Sequence, residues 1–260
     1  MLYKYCKPDG FDILTNCRLK LKRFEDFNDP FELEFGIDEG TAPSNIKKES
    51  EENPNIINTW ALTLDKQNIS YDKTSQEDIL EKFTEFQIKD FKGAKKELRE
   101  NQNKEMRIVC FSESPDVIQM WAHYTEDHKG IVVGIEESEF VKDKEHLFEV
   151  CYQDKMVLFP VTGIPEKVNK YVAKYIPDVV RRKESNWGYE KEIRVYIDFN
   201  EEYIEIPASS IREVYLGLRS DETTKLIAEC IKQREEYKHL KFYKMKKHKS
   251  AYKLEPEEIG

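Results

Sequence analysis

The sequence has few cysteines and no long apolar run, and both absences narrow the class of protein. Its five cysteines are scattered, with no C-x-x-C pair, so reduced thiols are expected rather than a disulfide framework. No apolar stretch approaches the ~20 residues that span a bilayer. The N-terminal MLYKYCK lacks the apolar core of a secretory signal. We therefore expect a soluble, cytoplasmic protein with no membrane partner.

Signatures of common nucleotide-binding and hydrolytic sites are also missing. There is no phosphate-cradling G-x-x-x-x-G-K-[ST], no G-x-G-x-x-G after a strand and no G-x-S-x-G elbow. His123 and His128 are five positions apart on a predicted helix and its exit, so they do not share a face. No metal site is expected.

Composition favours a folded, acidic protein. The chain has 260 residues, 36% of them charged and 12% aromatic, with a formal net charge of −9. This length allows one large domain or two small ones. The net charge excludes a general nucleic-acid-coating role, because phosphate backbones require an excess of Lys and Arg. The stretch KHLKFYKMKKHK still allows contact with a short single strand.

Helical and strand patterns alternate irregularly, which predicts an α+β fold with a mixed or antiparallel sheet. The predicted strands are MRIVCF, KGIVVGIE, EEYIEIP, IREVYLG and KHLKFYKMKK, with further short strands at the N-terminus. The predicted helices are a Ser114-capped segment reaching His128, a segment interrupted near Pro177, and DETTKLIAECIKQREE. Residues 41–58 are predicted to be a polar loop, and SQEDILEKFTEFQIKDFKGAKKELREN one or two surface helices. Residues 1–260 are predicted to form a single domain with a peripheral helical insertion at about 41–105.

The stretch NWGYEKEIRVYID, residues 186–198, alternates with a period of two and predicts a half-buried strand. Glu190, Glu192 and Arg194 share one side of it. That side faces either bulk water, where such ion pairs contribute under about 1 kcal/mol, or a cleft. A glycosidase-like carboxylate pair is disfavoured, because such acids usually approach a sugar from opposite faces. If Glu192 is half exposed, replacing it should change stability little.

Two further stretches offer side chains for a pocket. In the predicted helix VIQMWAHY, Val117 and Met120 are expected to face the core, whereas Trp121 and Tyr124 have polar tips that often line pockets. FNDPFE predicts a turn, and its Asn28 and Asp29 side chains either stabilise that turn or bind a polar ligand.

Six short motifs occur in a characteristic order: LYKY, FEDFNDPFE, VCFSES, MWAHYTEDHKGIVVGIE, WGYEKEIRV and IPASSIREVYLG. This ordered set resembles the bacterial domain-of-unknown-function family 2971, over most of the chain apart from about residues 41–105. That family in turn resembles the ADP-ribosyltransferase superfamily, particularly its toxins that modify nucleic acid.

The resemblance implies an ADP-ribosyltransferase-like fold, a split mixed or antiparallel sheet with peripheral helices. Lys4 and Tyr5 match the first-strand NAD contact of that superfamily, Ser112 follows the middle strand, and Glu192 matches the late glutamate. The first-strand position is commonly His or Arg there. Lys4 is a departure, because a charged lysine cannot accept a hydrogen bond. It implies either an altered NAD geometry or a fold retained without NAD chemistry.

The implied reaction transfers ADP-ribose from NAD, as substrate, to a macromolecule. A carboxylate beside the ribose would stabilise the positive charge of the transition state, with Glu192 and Glu190 as the catalytic residues. The implied NAD contacts are Lys4, Tyr5, Asn28, Asp29, Ser112, Trp121, Tyr124 and Arg194. The acceptor would be protein, RNA or DNA, and the protein a toxin or antiphage effector with a protein partner or antitoxin. The alternative is a non-catalytic ligand-binding or sensor domain on the same fold.

Overall fold

The computed structural model describes residues 1–140, 147–197 and 201–259, and they form an α+β fold with one large mixed sheet, which confirms the predicted fold class. The strands of these residues are β1 (Leu2–Cys6), β2 (Arg18–Lys20), β3 (Gly36–Asp38), β4 (Arg107–Ser112), β5 (Ile131–Ile135), β6 (Leu147–Glu149), β7 (Cys151–Tyr152), β8 (Leu158–Pro160), β9 (Arg182–Lys183), β10 (Glu192–Ile197), β11 (Tyr203–Glu205), β12 (Ile211–Leu216), β13 (Lys241–Lys247) and β14 (Leu254–Glu258). The α-helices are α1 (Asp12–Asn16), α2 (Ala42–Glu52), α3 (Ile56–Lys66), α4 (Gln76–Glu105), α5 (Ile118–Tyr124), α6 (Glu137–Phe140), α7 (Pro165–Arg181) and α8 (Glu222–Lys232).

The chain divides into two compact units. The first comprises Met1–Asn28, Glu105–Tyr152 and Lys183–Gly260, and the second comprises Asp29–Lys104 and Gln153–Arg182. Helices α2, α3 and nearly all of α4 belong to the second unit. The single domain with an insertion at about residues 41–105 stays a prediction.

An eight-stranded sheet forms the centre of the first unit, in the order β14-β13-β12-β5-β1-β4-β10-β6. Strands β12 and β13 are parallel, and the other neighbouring pairs of this sheet are antiparallel. Strand β1 pairs with β5 along its whole length but with β4 only at Tyr3↔Ser112. The sheet is therefore mixed, and β1 and β4 diverge beyond that one pair.

Different hydrophobic clusters cover the two faces of this sheet. One face is an apolar core that includes Val109, Ile193 and Val214. The other face carries Tyr5, Trp121 and many partly buried tyrosines. Because directly paired residues point to the same face, the register Glu192↔Ser112↔Tyr3↔Gly134↔Glu213 forms one row on the tyrosine-rich face.

The second unit has its own apolar core, built from helices α2, α3 and α4. Ile46, Leu64 and Ile79 are buried there, and the rings of Trp60 and Phe83 stack with centroids 4.6 Å apart. The single helix α4 confirms the helix predicted for this stretch. The polar loop predicted for residues 41–58 is wrong, because most of it lies in α2 and α3, whose apolar residues pack in this core.

Both predicted boundaries of the helix after β4 need correction. Helix α5 begins at Ile118 rather than after Ser114, whose hydroxyl bonds Asp116 instead. It ends at Tyr124 because Glu126, Asp127 and His128 adopt positive φ angles of 53°, 54° and 70°.

Helix α7 runs through Pro177 without the predicted interruption. Burial of Val179 and Val180 beyond the proline offsets the lost backbone hydrogen bond. In the described residues, no helix is both long and apolar enough to cross a bilayer.

Candidate functional site

The strand predicted for residues 186–198 begins later than its sequence pattern indicates. Residues Ser185–Glu190 form a 3-10 helix whose start is capped by Glu184, which accepts a hydrogen bond from the Asn186 backbone N–H at 3.0 Å. Lys191 has a left-handed φ of 44°, and strand β10 starts at Glu192. The period-two assignment is thus wrong before Glu192, and Asp198 lies outside the described residues.

Glu192 and Arg194 lie on one face of β10, but neither faces bulk water. The Arg194 guanidinium donates to both carboxylate oxygens of Glu192, from Nε at 2.8 Å and from a terminal nitrogen at 3.1 Å. Glu192 is 5% exposed and Arg194 is 0% exposed. The half-buried strand is a wrong prediction, because β10 is flanked by β4 and β6 and Ile193 and Val195 are also buried.

Lys183 joins the two glutamates, and the sequence offered no signal for it. Its ammonium group donates to Glu190 Oε2 at 2.6 Å and to Glu192 Oε2 at 3.0 Å. It also lies 4.9 Å from the ring centroid of Trp187. In the sequence Lys183 is the last of three cations at the end of a predicted helix, a position typical of a solvated side chain. The tertiary structure buries it to 6% exposure.

A chain of hydrogen bonds leads from the buried Glu190 to the surface. The Tyr124 hydroxyl donates to Glu190 Oε1 at 2.6 Å, and the Asn28 side-chain amide donates to the Tyr124 oxygen at 3.3 Å. Glu190 is 2% exposed, Tyr124 is half buried and Asn28 is exposed. Three predicted site residues from three distant parts of the chain therefore meet here.

Burial and neighbouring charges shift the pKa values of Glu190 and Glu192 in opposite directions. Burial raises the pKa of Glu190, and Lys183 and Tyr124 offset that rise only in part. Burial acts in the same direction on Glu192, but the charges of Arg194 and Lys183 outweigh it and lower its pKa to about 2. Glu192 is thus a fixed anion, whereas Glu190 is the carboxyl more able to exchange a proton.

Backbone hydrogen bonds hold both glutamates in place. The Ser112 hydroxyl donates to the Glu190 carbonyl at 2.7 Å, and the Glu192 backbone N–H donates to the Tyr152 hydroxyl oxygen at 2.7 Å. Ser112 is fully buried. It thus positions Glu190 through the backbone, and Tyr152, which sequence reasoning missed, does the same for Glu192.

The remaining predicted NAD contacts lie apart from this cluster. Lys4 donates to the Cys110 carbonyl at 2.8 Å where β1 and β4 diverge. Tyr5 donates to the Ser114 carbonyl at 2.9 Å, and the indole N–H of the fully buried Trp121 donates to the Pro115 carbonyl at 2.7 Å. These three side chains bond to backbone, and Tyr5 and Trp121 fix the segment before α5.

Asp29 belongs to the second unit and completes its own turn, because its Oδ1 accepts from the Phe31 backbone N–H at 2.9 Å. This is the turn predicted from FNDPFE. Among the described residues, no group of three or more His, Cys, Asp or Glu side chains is placed to hold a metal ion.

We call Lys183, Glu190, Glu192 and Arg194 the charge cluster. It places a carboxyl of raised pKa next to a tyrosine hydroxyl and an ammonium group. Such a set can hold a sugar hydroxyl, take up a proton, or oppose positive charge that develops on a bound ligand.

In the comparison with known proteins, one family model matches part of the chain. The family described as a protein of unknown function, DUF2971, matches residues 120–195. This confirms the resemblance to that family over a stretch that contains Tyr124 and the whole charge cluster. No curated protein and no solved structure matches the chain. None of these comparisons links the chain to ADP-ribosyltransferases.

Proposed function

We propose that this protein is an NAD-dependent ADP-ribosyltransferase that modifies a macromolecule, with Glu190 as the carboxylate that meets the ribose. The observation that carries the proposal is the hydrogen-bonded path from Glu190 through Tyr124 to the exposed Asn28. Asn28 is the exposed end of this path, so a polar ligand bound there would lie next to the Tyr124 hydroxyl that contacts the carboxyl.

Neighbouring strands support an ADP-ribosyltransferase-like arrangement. The superfamily resemblance assigns NAD contacts to a first strand, the end of a middle strand and a late strand. In this chain those strands are β1, β4 and β10, which are adjacent in the sheet. Ser112 and Glu192 lie in one row across β4 and β10, and the predicted contact Tyr5 is on the same face of β1. Lys4 alternates to the apolar face, with Val133, and does not join that row.

The two glutamates have different proposed roles. Cleaving the bond between ribose and nicotinamide builds positive charge on the sugar, which a nearby anion stabilises. Glu190 would supply that anion, and its raised pKa also makes it a stronger base for removing the acceptor's proton. Glu192 keeps Lys183 and Arg194 neutralised, and it therefore positions rather than contacts the substrate.

Nicotinamide release and transfer of label from NAD to cell-extract macromolecules test the proposal. Glu190→Gln should lower both rates about a hundredfold, since losing one preorganised electrostatic contact costs about 3 kcal/mol of transition-state stabilisation. Gln can still accept from Tyr124 and Lys183 stays paired with Glu192, but the change removes one anion from a buried ion pair. Urea denaturation of the variant therefore accompanies the rates, which are compared at a temperature where the variant is folded. Glu205→Gln, an exposed change on β11, is the matched control with unchanged rates.

Two results would overturn the proposal: wild-type protein that is folded yet neither transfers nor hydrolyses NAD, or a Glu190→Gln variant with wild-type turnover. Mass spectrometry of a labelled product would identify the acceptor as protein, RNA or DNA. If modification of that acceptor kills or arrests cells, the result would support a toxin or antiphage role, with an antitoxin as partner.

A non-catalytic ligand-binding or sensor domain is the second candidate, and the charge cluster itself favours it. Two buried anions pair with two buried cations at 2.6–3.1 Å, which is a stable arrangement without any substrate. In that case NAD would not raise the melting temperature, and a different small ligand or a protein partner should co-purify.

A further inference from the structure

A second polar group lies on the tyrosine-rich face, away from the charge cluster. Tyr3, Gly134 and Glu213 are paired in register across β1, β5 and β12. An irregularity in β12 between Ile211 and Glu213 brings the glutamate opposite Gly134. Three strands, β5, β1 and β4, separate β12 from β10, which carries Glu192.

Two tyrosine hydroxyls converge on the same oxygen of Glu213. Tyr215 donates to Oε2 at 2.7 Å and Tyr3 donates to it at 3.3 Å. Tyr3 and Glu213 are half buried, and Tyr215 is 5% exposed. Among the described residues, no lysine or arginine forms an ion pair with Glu213, and its Oε1 accepts no hydrogen bond. One carboxylate oxygen is therefore available as an acceptor.

Aromatic rings form the walls around this carboxylate. The rings of Tyr3 and Tyr215 meet edge to face, with centroids 6.0 Å apart, and Tyr215 stacks on Tyr243 at 4.8 Å. Gly134 has no side chain, which lets Tyr3 and Glu213 approach it closely. A Cβ there would lie 3.1 Å from Cβ and 3.2 Å from Oε2 of Glu213, and 3.2 Å from the Tyr3 ring.

The local charge is negative. Burial and then the Glu213 charge raise the pKa of Tyr3 and of Tyr243, and Glu258 on β14 adds to the rise at Tyr243. Lys241 lies opposite Glu213 on β13, so it is the neighbouring cation by register, but it is exposed and forms no ion pair with the carboxylate.

We propose that Glu213, Tyr3, Tyr215 and Tyr243 form a binding site for an alkylguanidinium group. A planar guanidinium can donate N–H groups to Oε1 of Glu213 while its face lies against a tyrosine ring. The negative faces of the rings add attraction for a cation. The proposal is independent of transferase activity, because the charge cluster contributes none of these residues.

Titration of the whole protein with N-ethylguanidinium tests the site, read out by the NMR ring signals of its tyrosines. We expect saturable shifts at Tyr3, Tyr215 and Tyr243. The neutral isostere N-ethylurea should cause none, because it matches the shape but lacks the charge. Raising the salt concentration should weaken binding, as expected for a half-exposed ion pair. Agmatine and an arginine-containing tetrapeptide then distinguish a free small molecule from a peptide as the source of the guanidinium.

Three variants complete the test. Glu213→Gln keeps the acceptor for both tyrosines but removes the charge, and it should weaken binding at least tenfold. Tyr243→Leu should weaken it by a smaller factor, because it removes one ring. Lys241→Ala is the matched control and should bind as tightly as wild type or more tightly. Equal binding of N-ethylurea, unchanged binding by Glu213→Gln, or loss of binding in Lys241→Ala would each overturn the proposal.

Discussion

Glu192 is the residue whose surroundings differ most from what its sequence neighbours indicate. A half-exposed glutamate on a strand could be replaced at little cost to stability. Glu192 is instead 5% exposed and paired with Arg194 and Lys183. Removing one member of a buried ion pair leaves the partner's charge uncompensated, which typically costs about 3–5 kcal/mol.

We therefore expect Glu192→Gln to lower the free energy of unfolding by about 3–5 kcal/mol at neutral pH, as measured by urea denaturation. The exposed control Glu205→Gln should change it by less than about 0.5 kcal/mol. A Glu192→Gln variant as stable as this control would mean that the charge cluster does not hold together in solution.

The ion pairs of Glu192 should make the stability of the wild-type protein fall as the pH is lowered. The pKa of Glu192 is lowered from 4.5 to about 2 in the folded protein. Its ion pairs thus stabilise the fold above pH ~4.5, and this stability is lost as the pH falls toward 2. The loss amounts to about 3 kcal/mol and should be absent from Glu192→Gln. Glu190 acts in the opposite direction, because its raised folded pKa favours the protonated form.

At the scale of elements, the junction between the 3-10 helix Ser185–Glu190 and strand β10 sets the positions of both glutamates. Lys191 makes the reversal with φ 44° and ψ 53°, a left-handed conformation that disfavours side chains with a Cβ. Its backbone carbonyl accepts from the Glu113 N–H at 3.2 Å, which ties the junction to the end of β4. The strained residue is exposed, so its side chain can be changed without repacking.

Lys191→Gly should raise the free energy of unfolding by up to about 1 kcal/mol, because glycine adopts the left-handed region without steric cost. Lys191→Val should lower it by at least about 1 kcal/mol, since a β-branched residue fits this region poorly. Lys238, exposed with φ −59°, provides the control, and glycine there should destabilise. If glycine destabilises equally at both positions, the strain at Lys191 is absent in solution.

At the scale of the whole molecule, the two units differ in how well their backbone is protected from proteolysis. The central strands of the first unit are hydrogen-bonded on both sides. In the second unit, the connection between α3 and α4 is largely exposed and contains Asn68 with a positive φ of 55°. Exposed connections with few buried contacts are the usual sites of first cleavage.

Limited trypsin digestion should therefore cut first at Lys66 or Lys73, within the stretch 41–105. The first fragments, identified by mass spectrometry, should end at these lysines while the strands of the large sheet stay intact. Lys191 is a useful internal comparison, because it is also exposed but joins two short hydrogen-bonded elements. First cleavage confined to the stretch WGYEKEIR would contradict this expectation.

The sequence by itself determined the fold class and most of the regular elements. Short apolar runs predict strands such as β4, β5 and β12, and Asp221 caps α8 by accepting from the Thr224 N–H at 2.7 Å. These patterns succeed because a short apolar run with turn residues on either side is a local property of the chain. The sequence also singled out Glu190, Glu192 and Tyr124.

Only the tertiary structure decided what the polar side of β10 faces. Alternation separates the polar side of a strand from its apolar side, but it does not reveal what covers the polar side. Lys183, Tyr152 and Ser112 come from other elements, and their contacts convert an apparently solvated Glu–Arg face into a buried charge cluster. Glu190 acquires its raised pKa from the same burial. Both effects depend on distances between segments far apart in the chain, which no local pattern encodes.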